Sequence, residues 1–380
     1  MAKLIDVCHI QYGYAFDSSK FTSNDGVPLI RIRDVMRGFS ETYTTEECSE
    51  EYIVRNGDIL IGMDGEFNIA HWNGGQAYLN QRVCKLVPKD NVWSMYLFYS
   101  MPKVLKEIED KTPFVTVKHL SAKELNKVTI HLPSMEVQKK IANSLQMLDK
   151  LIFLRKQQLS KLDELVKARF VEMFGDPSAN PYSWDVVNIT NVVEGKVSNG
   201  FFAKRDEYTD DGNVRVLGVA NIVNRMYSNV DDLPKTIGTT SDIQKFEVKY
   251  GDMLFCRSSL VAEGIGKASI VPMDVPPSTL FECHVIRLPL NLNKCVPEFM
   301  QVLSTTDYFR TQIISQSKTA TMTTIGQDGI LKTMIILPPI ERQKQFLEFV
   351  KQIDKSKFEI QKSLEKLETL KKALMQKYFG

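Results

Sequence analysis

The sequence lacks the features that mark several common classes of protein. Its 380 residues contain no run of eighteen apolar residues, and the N-terminus reads neither as a signal peptide nor as a membrane anchor. Its six cysteines show no C-x-x-C spacing and no nearby pair of histidines. These absences favour a cytoplasmic protein with free thiols and without a metal site.

Motifs that carry catalysis are missing as well. The run from Gly264 to Lys267 is reminiscent of a phosphate loop, but Val261 and Ala268 stand where a Walker A loop needs glycine and a hydroxyl residue. Asp58 and Asp252 each follow a glycine, and each is better explained by a turn that leads into a buried strand than by a metal-dependent nuclease. The sequence therefore predicts no catalytic residue and no metal ligand in this chain.

The net charge of +2 is distributed unevenly along the chain. Residues 136–174 contain 8 basic and 5 acidic residues, and residues 341–380 contain 10 and 6. The rest of the chain therefore carries a net charge of −5. Because a generally basic surface is absent, any contact with DNA must come from local patches.

One segment of the sequence occurs twice. Residues 136–174 and 341–379 each follow a Leu-Pro pair, at 132–133 and 337–338, and each ends in a phenylalanine that is followed by glycine. An internal repeat of this kind has to be recognised before a fold is proposed. Three polar residues recur at a constant offset of 205: Glu136/Glu341, Gln138/Gln343 and Lys139/Lys344.

Each copy has the seven-residue pattern of a coiled coil. Alternate steps of four and three reach ten positions per copy, of which eight are apolar. A helix of 39 residues at ~1.5 Å per residue is about 58 Å long, and two equal stripes favour pairing of the two helices over a single core helix. The predicted seam consists of Ile141, Leu145, Leu148, Ile152, Leu159, Leu162, Val166, Met173, Phe346, Val350, Ile353, Ile360, Leu364, Leu367, Leu374 and Tyr378.

Four basic residues interrupt this seam: Arg155, Arg169, Lys357 and Lys371. Long basic side chains at the edge of a coiled coil often extend to solvent. Polar seam residues also fix helix register at a cost in stability, and register is the interpretation favoured here over contact with DNA.

The segments before and between the two copies follow the same order of elements. In the first, Leu29–Val35 and Gln81–Val87 are predicted as strands and residues 93–110 as an amphipathic helix. In the second, residues 216–222 and 280–288 are predicted as strands and 297–316 as a helix. The skeleton is shared while the loops differ, which predicts two related binding modules of different specificity.

These residues are similar to the specificity (S) subunits of type I restriction–modification systems. The resemblance rests on the LP-x-x-E-x-Q-K start of each helix (132–139 and 337–344), the heptad helices, the Gly-Asp strand starts, and the approach from VKHLS to HLP. It implies an α+β fold in which two domains with mixed and antiparallel sheets are joined by an antiparallel coiled coil, with a pseudo-two-fold internal repeat. The implied segments are target-recognition domain 1 (1–133), a central repeat helix (134–175), target-recognition domain 2 (176–338) and a C-terminal repeat helix (339–380).

The resemblance also implies a function. The chain is expected to be non-catalytic, to recognise a bipartite site in double-stranded DNA, and to act in defence against foreign DNA. Its expected partners are two modification subunits, which hold S-adenosylmethionine and methylate adenine, and restriction or translocase subunits, which use ATP and Mg²⁺. No cofactor is expected in this chain itself.

Base edges are read mainly by Arg at guanine and by Asn or Gln at adenine, whereas Lys mostly contacts phosphates. The loops 64–76 and 315–328 are stronger candidates as regions than any single residue, since each residue has a solvated surface role as its alternative. The candidate DNA-binding residues are Arg31, Arg33, Asn80, Gln81, Arg82, Lys118 and His119 in the first module, and Asn221, Asn224, Arg225, Arg257, Lys267 and Lys318 in the second.

Two other functions stay open at this point. The chain could serve another methylation or restriction system, either a type II enzyme with fused activities or an orphan methyltransferase. It could also be a coiled-coil scaffold that binds other proteins, which the acidic globular segments favour.

Overall fold

A computed structural model describes residues 1–112 and 117–380, which form two compact units. Unit 1 comprises Met1–Gln157 and Gln361–Gly380, and unit 2 comprises Gln158–Ile360. Two long helices, Met135–Phe174 and Ile340–Phe379, each contribute to both units. The division of the chain into four segments remains a prediction.

Unit 1 contains a four-stranded antiparallel sheet and a five-stranded mixed sheet, with a further strand pair, Ala2–Lys3 with Thr129–Ile130. Its shorter helices are Leu4–Val7, Ile32–Arg37, Ser94–Lys111 and Ala122–Leu125. The four-stranded sheet has the order Cys8–Tyr12, Val83–Pro88, Ile59–Gly62, Ile69–His71. The five-stranded sheet has the order Phe21–Thr22, Tyr43–Thr44, Val27–Ile30, Ala77–Leu79, Ile53–Val54.

Unit 2 repeats this scheme with a four-stranded antiparallel sheet and a three-stranded mixed sheet. The four-stranded sheet has the order Ser198–Asn199, Val285–Leu288, Met253–Cys256, Ala268–Ile270. The mixed sheet has the order Lys235–Thr236, Val214–Leu217, Thr279–Phe281, and the pair Val186–Asn188 with Met334–Ile336 matches the strand pair of unit 1. The shorter helices are Val219–Ile222, Thr240–Phe246, Pro297–Ser304, Asp307–Ser315 and Gln327–Leu331.

Equivalent glycines demonstrate the internal repeat at the level of single hydrogen bonds. Gly13 N–H donates to Val83 at 3.1 Å, and Gly200 N–H donates to Val285 at 3.2 Å. A Cβ atom at Gly13 would lie 2.0 Å from the carbonyl oxygen of Asn80, and one at Gly200 would lie 2.2 Å from that of Glu282. Glycine is required at both positions because another backbone passes where a side chain would begin.

The prediction of a strand over Leu29–Val35 is wrong beyond Ile30. The strand ends there and the helix Ile32–Arg37 begins, because the Asp34 carboxylate accepts the backbone N–H of Arg31 at 2.9 Å and closes the first turn. In unit 2 the predicted strand 216–222 breaks in the same way, and Asn221 accepts the N–H of Gly218 at 3.0 Å. The strand predictions for 29–35 and for the matching segment 216–222 therefore both extend past the true end of the strand.

Two further predicted elements are each divided in the structure. Residues 280–288 belong to two strands in different sheets, Thr279–Phe281 and Val285–Leu288. Residues 297–316 form two helices, because the Thr306 hydroxyl caps the second helix at the Phe309 N–H, at 3.4 Å. The matching helix of unit 1 runs unbroken over Ser94–Lys111.

The Gly-Asp pairs form the turns that the sequence indicates. Asp58 accepts the backbone N–H of Arg55 at 2.8 Å, and Asp252 accepts that of Lys249 at 2.9 Å. Each turn leads into a fully buried strand, Ile59–Gly62 or Met253–Cys256. Asp252 is itself buried, and burial raises the pKa of its carboxyl.

The long helices pair along the predicted seam, where none of the apolar side chains named from the heptad pattern is exposed. Seven of the sixteen are only partly buried, as expected for a two-helix pair with much of its surface in solvent. In unit 2 the seam joins the body of the domain through Phe170, Phe174, Phe299 and Phe346, whose rings lie 4.9–5.7 Å apart.

Ion pairs show that the two helices run antiparallel. In unit 1, Lys371 contacts Asp149 at 2.5 Å and Lys156 contacts Glu368 at 3.0 Å. In unit 2, Lys357 contacts Asp163 at 2.5 Å. Residue numbers rise on one helix as they fall on the other. The basic seam residues Lys357 and Lys371 thus find acidic partners across the pair, consistent with a role in register.

The repeated glutamines tie the start of each long helix to the neighbouring body. The Gln138 side chain accepts the N–H of Trp93 at 2.9 Å and donates to the carbonyls of Asn91 and Pro133. Gln343 accepts the N–H of Val296 at 2.9 Å and donates to the matching carbonyls, those of Lys294 and Pro338. Both side chains are buried, which explains why glutamine recurs at this position of the repeat.

We expect Gln343→Leu to lower the free energy of unfolding by roughly 2–4 kcal/mol, because it leaves a buried N–H and two carbonyls without partners. Gln352→Leu makes the same change at an exposed position of the same helix and should be nearly neutral. Urea unfolding of both variants provides the measurement. Equal free energies of unfolding for the two variants would contradict the proposed role of Gln343 in attaching the helix to the body of unit 2.

Candidate nucleic-acid interface

In unit 1 the structure brings together two of the predicted residues, Arg82 and His119. Both contact Asp64: Arg82 Nε lies 3.6 Å from one carboxylate oxygen, and His119 Nδ1 lies 2.6 Å from the other. Arg82 has a left-handed backbone, φ +73°, at the turn between the strands Ala77–Leu79 and Val83–Pro88. Arg82 Nη1 also lies 3.3 Å from His119 Nδ1, so Asp64 and His119 together orient a half-exposed guanidinium.

Arg31 and Arg33 lie at the strand-to-helix junction described above. The Arg31 side chain is exposed at the helix start. Arg33 donates to the Thr42 hydroxyl at 3.1 Å and lies 3.7 Å from the buried carboxylate of Asp34. Both arginines are exposed, but Arg33 is also engaged in holding its own helix.

The other candidates of unit 1 differ in accessibility. Asn80 is buried and its side-chain oxygen accepts the Gln81 N–H at 2.9 Å, while the Gln81 side chain is exposed. Lys118 is partly buried and lies 3.7 Å from Glu109. Asn80 therefore shapes the turn that presents Gln81 and Arg82.

The region 64–76 is more ordered than a loop. It contains the strand Ile69–His71, and Phe67 and Trp72 pack in cores of unit 1. The Trp72 indole donates to the Gly75 carbonyl at 2.7 Å. Its exposed positions flank this anchored centre on both sides.

In unit 2 the candidates Asn224, Arg225 and Lys267 line one cleft of about 390 Å³. Lys267 Nζ donates to the Asn224 side-chain oxygen at 2.7 Å, and Asn224 has a left-handed backbone. Asn221 lies nearby in sequence, but its amide caps the helix and donates to the Asn229 carbonyl at 3.2 Å. Both ends of that amide are thus engaged within the fold.

The remaining candidates of unit 2 lie at a separate small sheet: Lys318 is in one of its strands, and Arg257 directly precedes another. Its strands have the order Ser258–Ser259, Thr323–Thr324, Lys318–Thr319, so the predicted loop 315–328 is a hairpin followed by the start of a helix. Arg257 donates to the Cys283 carbonyl at 3.2 Å. Lys318 is exposed on the outer strand.

Sequence reasoning missed three charged residues that shape these surfaces: Asp64, Glu298 and Arg310. Glu298 is buried and accepts the Tyr227 hydroxyl at 3.0 Å, and burial raises the pKa of its carboxyl. Arg310 lines the unit 2 cleft. No local motif marks any of the three, since their neighbours come from distant parts of the chain.

Within residues 1–112 and 117–380, no cluster of three or more His, Cys, Asp or Glu side chains could hold a metal ion, and no helix is long and apolar enough to cross a membrane. The six cysteines are free thiols, and four of them are buried.

Comparisons with known proteins place this architecture in a family. The family model described as "Type I restriction modification DNA specificity domain" matches residues 1–164 and 181–372. The chain belongs to this family. It is 27% identical to the type I restriction enzyme EcoBI specificity subunit of Escherichia coli over 98% of this chain and 84% of that protein.

Two further relatives agree. The MjaVIII specificity subunit of Methanocaldococcus jannaschii is 25% identical over 92% of this chain and 87% of that protein. A crystal structure of a type I restriction–modification S subunit from M. genitalium aligns with a TM-score of 0.59 at 12% identity, over 100% of this chain and 95% of that chain. At that identity the likeness shows the fold: an α+β protein with two sheet-containing modules and an antiparallel pair of long helices.

Proposed function

We propose that the chain is the DNA specificity subunit of a type I restriction–modification complex and recognises a bipartite site in double-stranded DNA. The observation that carries the proposal is the pair of matched scaffolds with unlike surfaces. The turn that presents Gln81 and Arg82 in unit 1 presents Cys283 and His284 in unit 2. Two readers of the same shape with different side chains can recognise two different half-sites.

The chemistry of modification and restriction is proposed to lie in partner subunits in the cytoplasm. In this proposal, two modification subunits hold S-adenosylmethionine and methylate adenine, and restriction subunits use ATP and Mg²⁺. In this arrangement the chain holds no cofactor and catalyses no step itself. Its role is to decide which DNA sequence reaches the catalytic subunits.

A repeated apolar surface on the long helices supports assembly with two copies of one partner. Phe153 and Phe358 are separated by the repeat offset of 205 and are 59% and 65% exposed. Leu165 and Leu370 have the same offset and are 46% and 48% exposed. Each unit therefore carries one such phenylalanine and one such leucine on its part of the helix pair. Exposed large apolar side chains at repeated positions are typical of an interaction surface.

We expect Phe153→Asp and Phe358→Asp each to reduce the number of bound modification subunits from two to one, and the double variant to bind none. A charge placed in an apolar contact is desolvated without a partner, which weakens that contact. Native mass spectrometry of complexes purified after co-expression gives the stoichiometry. Gln146→Asp, at an exposed polar position of the same helix, is the control that should retain both subunits. Loss of both subunits from either single variant would rule out independent sites.

A map of methylated adenines in cells with and without the gene tests the proposed function. The expected result is a motif of two short defined parts with a constant gap, present only with the gene. An unchanged map would overturn the proposal, and an uninterrupted motif would overturn the bipartite mode. The same map separates a type I system from a scaffold that binds only proteins, since a scaffold specifies no motif.

A further inference from the structure

The cleft of unit 2 concentrates positive charge in an otherwise acidic part of the chain. Residues 175–340 contain 15 basic and 18 acidic residues. Five basic side chains nevertheless line this one cleft, three from this segment and two from the long helices, against a single acidic one, Asp163. The five are Lys167, Arg225, Lys267, Arg310 and Lys357.

Most of this charge is not neutralised within the protein. Lys357 is paired with Asp163. Among the residues that the structure describes, the other four cations form no ion pair with a carboxylate. The cleft therefore presents a net charge of about +4 to whatever occupies it.

Arg310 is the strongest indication that the missing partner is an anion. Its Nη2 donates to the Glu263 carbonyl at 3.1 Å, while its Nη1 is buried and has no hydrogen-bond partner within the described chain. Burial lowers the pKa of this guanidinium, because removal from water disfavours its charged form. A buried donor without an acceptor is costly, and an anionic oxygen beside Arg310 in the cleft would compensate the charge of this guanidinium.

The neighbouring cation is held in place. Lys267 follows Gly266, whose left-handed backbone (φ +63°) turns the chain at the cleft wall, and a Cβ there would lie 2.4 Å from Ile313 and 3.5 Å from Arg310 Nη1. The hydrogen bond from Lys267 Nζ to the Asn224 side-chain oxygen, at 2.7 Å, holds the ammonium group at the cleft. Glycine at position 266 thus allows the chain just before the strand Ala268–Ile270 to approach the helix Asp307–Ser315 closely.

Unit 1 has a cleft in the corresponding place but with different charge. It is lined by the helix Ser94–Lys111, the segment before Ile69–His71 and the second long helix, and has a volume of about 580 Å³. Its two lysines, Lys106 and Lys371, are matched by Glu66 and Glu109 at the wall, and both are already ion-paired. The positive cleft is therefore a property of unit 2 and not of the shared scaffold.

We propose that the unit 2 cleft binds a phosphodiester group of the DNA backbone, with Arg310 and Lys267 as its main ligands. The inference rests on the proposed function and deepens it, since it assigns unit 2 a phosphate anchor beside the predicted base-reading residues Asn224 and Arg225. Contacts to phosphate position a protein on DNA without reading sequence. The anchor therefore contributes affinity and register, and unit 1 lacks its equivalent.

Arg310→Gln and Lys267→Gln test the anchor in the complete complex with its partner subunits. Affinity for duplex DNA that contains the methylated motif is measured between 50 and 200 mM salt, together with the methylation map. Each lost phosphate contact should reduce the slope of log affinity against log salt by about 0.9. The motif itself should stay the same. Lys106→Gln, in the cleft of unit 1, is the matched control and should leave the slope unchanged.

The outcomes separate the anchor from the function on which it rests. If the wild-type complex shows no sequence-selective DNA binding, the proposed function fails. If the wild type binds and both variants keep its slope and affinity, the anchor is wrong while the function stands. A changed motif in either variant would mean that the residue reads a base, which also overturns the anchor. Arg310→Lys keeps the charge and should restore most of the slope. Thermal unfolding of Arg310→Gln shows separately whether that variant has a folding defect.

Discussion

Leu364→Asp is expected to abolish methylation of the two-part DNA motif in cells. Leu364 is 5% exposed in the seam of the helix pair in unit 1. The substitution removes a packed side chain and buries a carboxylate without a partner, at a cost of about 3–5 kcal/mol. The second long helix contributes residues 361–380 to unit 1. The substitution therefore destabilises the fold of unit 1 as well as the pairing of the two helices. Leu159→Asp makes the equivalent change on the first long helix and is expected to act in the same way.

Thr369→Asp is the control for this experiment, since it introduces the same charge at an exposed position five residues further along the helix. Methylation maps of the two variants, with protein levels measured in parallel, give the comparison. If Leu364→Asp directs methylation to the same motif with the same gap, the paired helices do not set the spacing of recognition.

Gly200→Ala is expected to disrupt recognition of the half-site assigned to unit 2. The new Cβ would lie 2.2 Å from the carbonyl oxygens of both Phe281 and Glu282. Because backbone atoms cannot move away at low cost, we expect the free energy of unfolding to fall by ~1–3 kcal/mol, nearer the upper value. The displaced edge strand, Ser198–Asn199, pairs with Val285–Leu288, which begins directly after the turn at His284.

Gly326→Ala is the control that tests whether replacing any glycine by alanine would cause the effect expected of Gly200→Ala. Nothing lies within 4 Å of a Cβ at Gly326, and its backbone is not left-handed, so its stability should change by less than about 0.5 kcal/mol. The measurements are thermal unfolding and binding to duplexes in which one or the other half of the motif is scrambled. Wild-type binding by Gly200→Ala would mean that the strand can shift without affecting the DNA-binding surface.

The sequence predicts the parts of the fold that depend on long, regular patterns. Two helices of 40 residues follow from heptads that persist through the whole repeat, and the Gly-Asp turns follow from local backbone chemistry. The strand assigned to Leu29–Val35 failed because side-chain alternation is the same on both sides of Ile30. Only the hydrogen bond from Arg31 to Asp34 ends the strand there.

The candidate DNA-binding surface is less predictable, because it is assembled from residues far apart in sequence. Arg82, His119 and Asp64 come together from three segments, and Arg310 approaches Lys267 from a separate helix. For Asn221 the sequence predicted a DNA contact that the fold does not favour, since an amide suited to reading adenine is used to cap a helix. Residue type indicates what a side chain can bind, but only tertiary structure shows whether its donors are already occupied.

The order in which the chain is synthesised gives the antiparallel pairing a further consequence. Residues 1–157 leave the ribosome early, yet the segment that completes their unit, Gln361–Gly380, emerges only after all of unit 2. Until then Ile141 and Leu145 lack the cover of Leu374, Tyr378 and Phe379, whose side chains pack against the same cluster. The first module to be translated is therefore the last to be finished, and during that interval its uncovered apolar stripe is open to chaperones or to partner subunits.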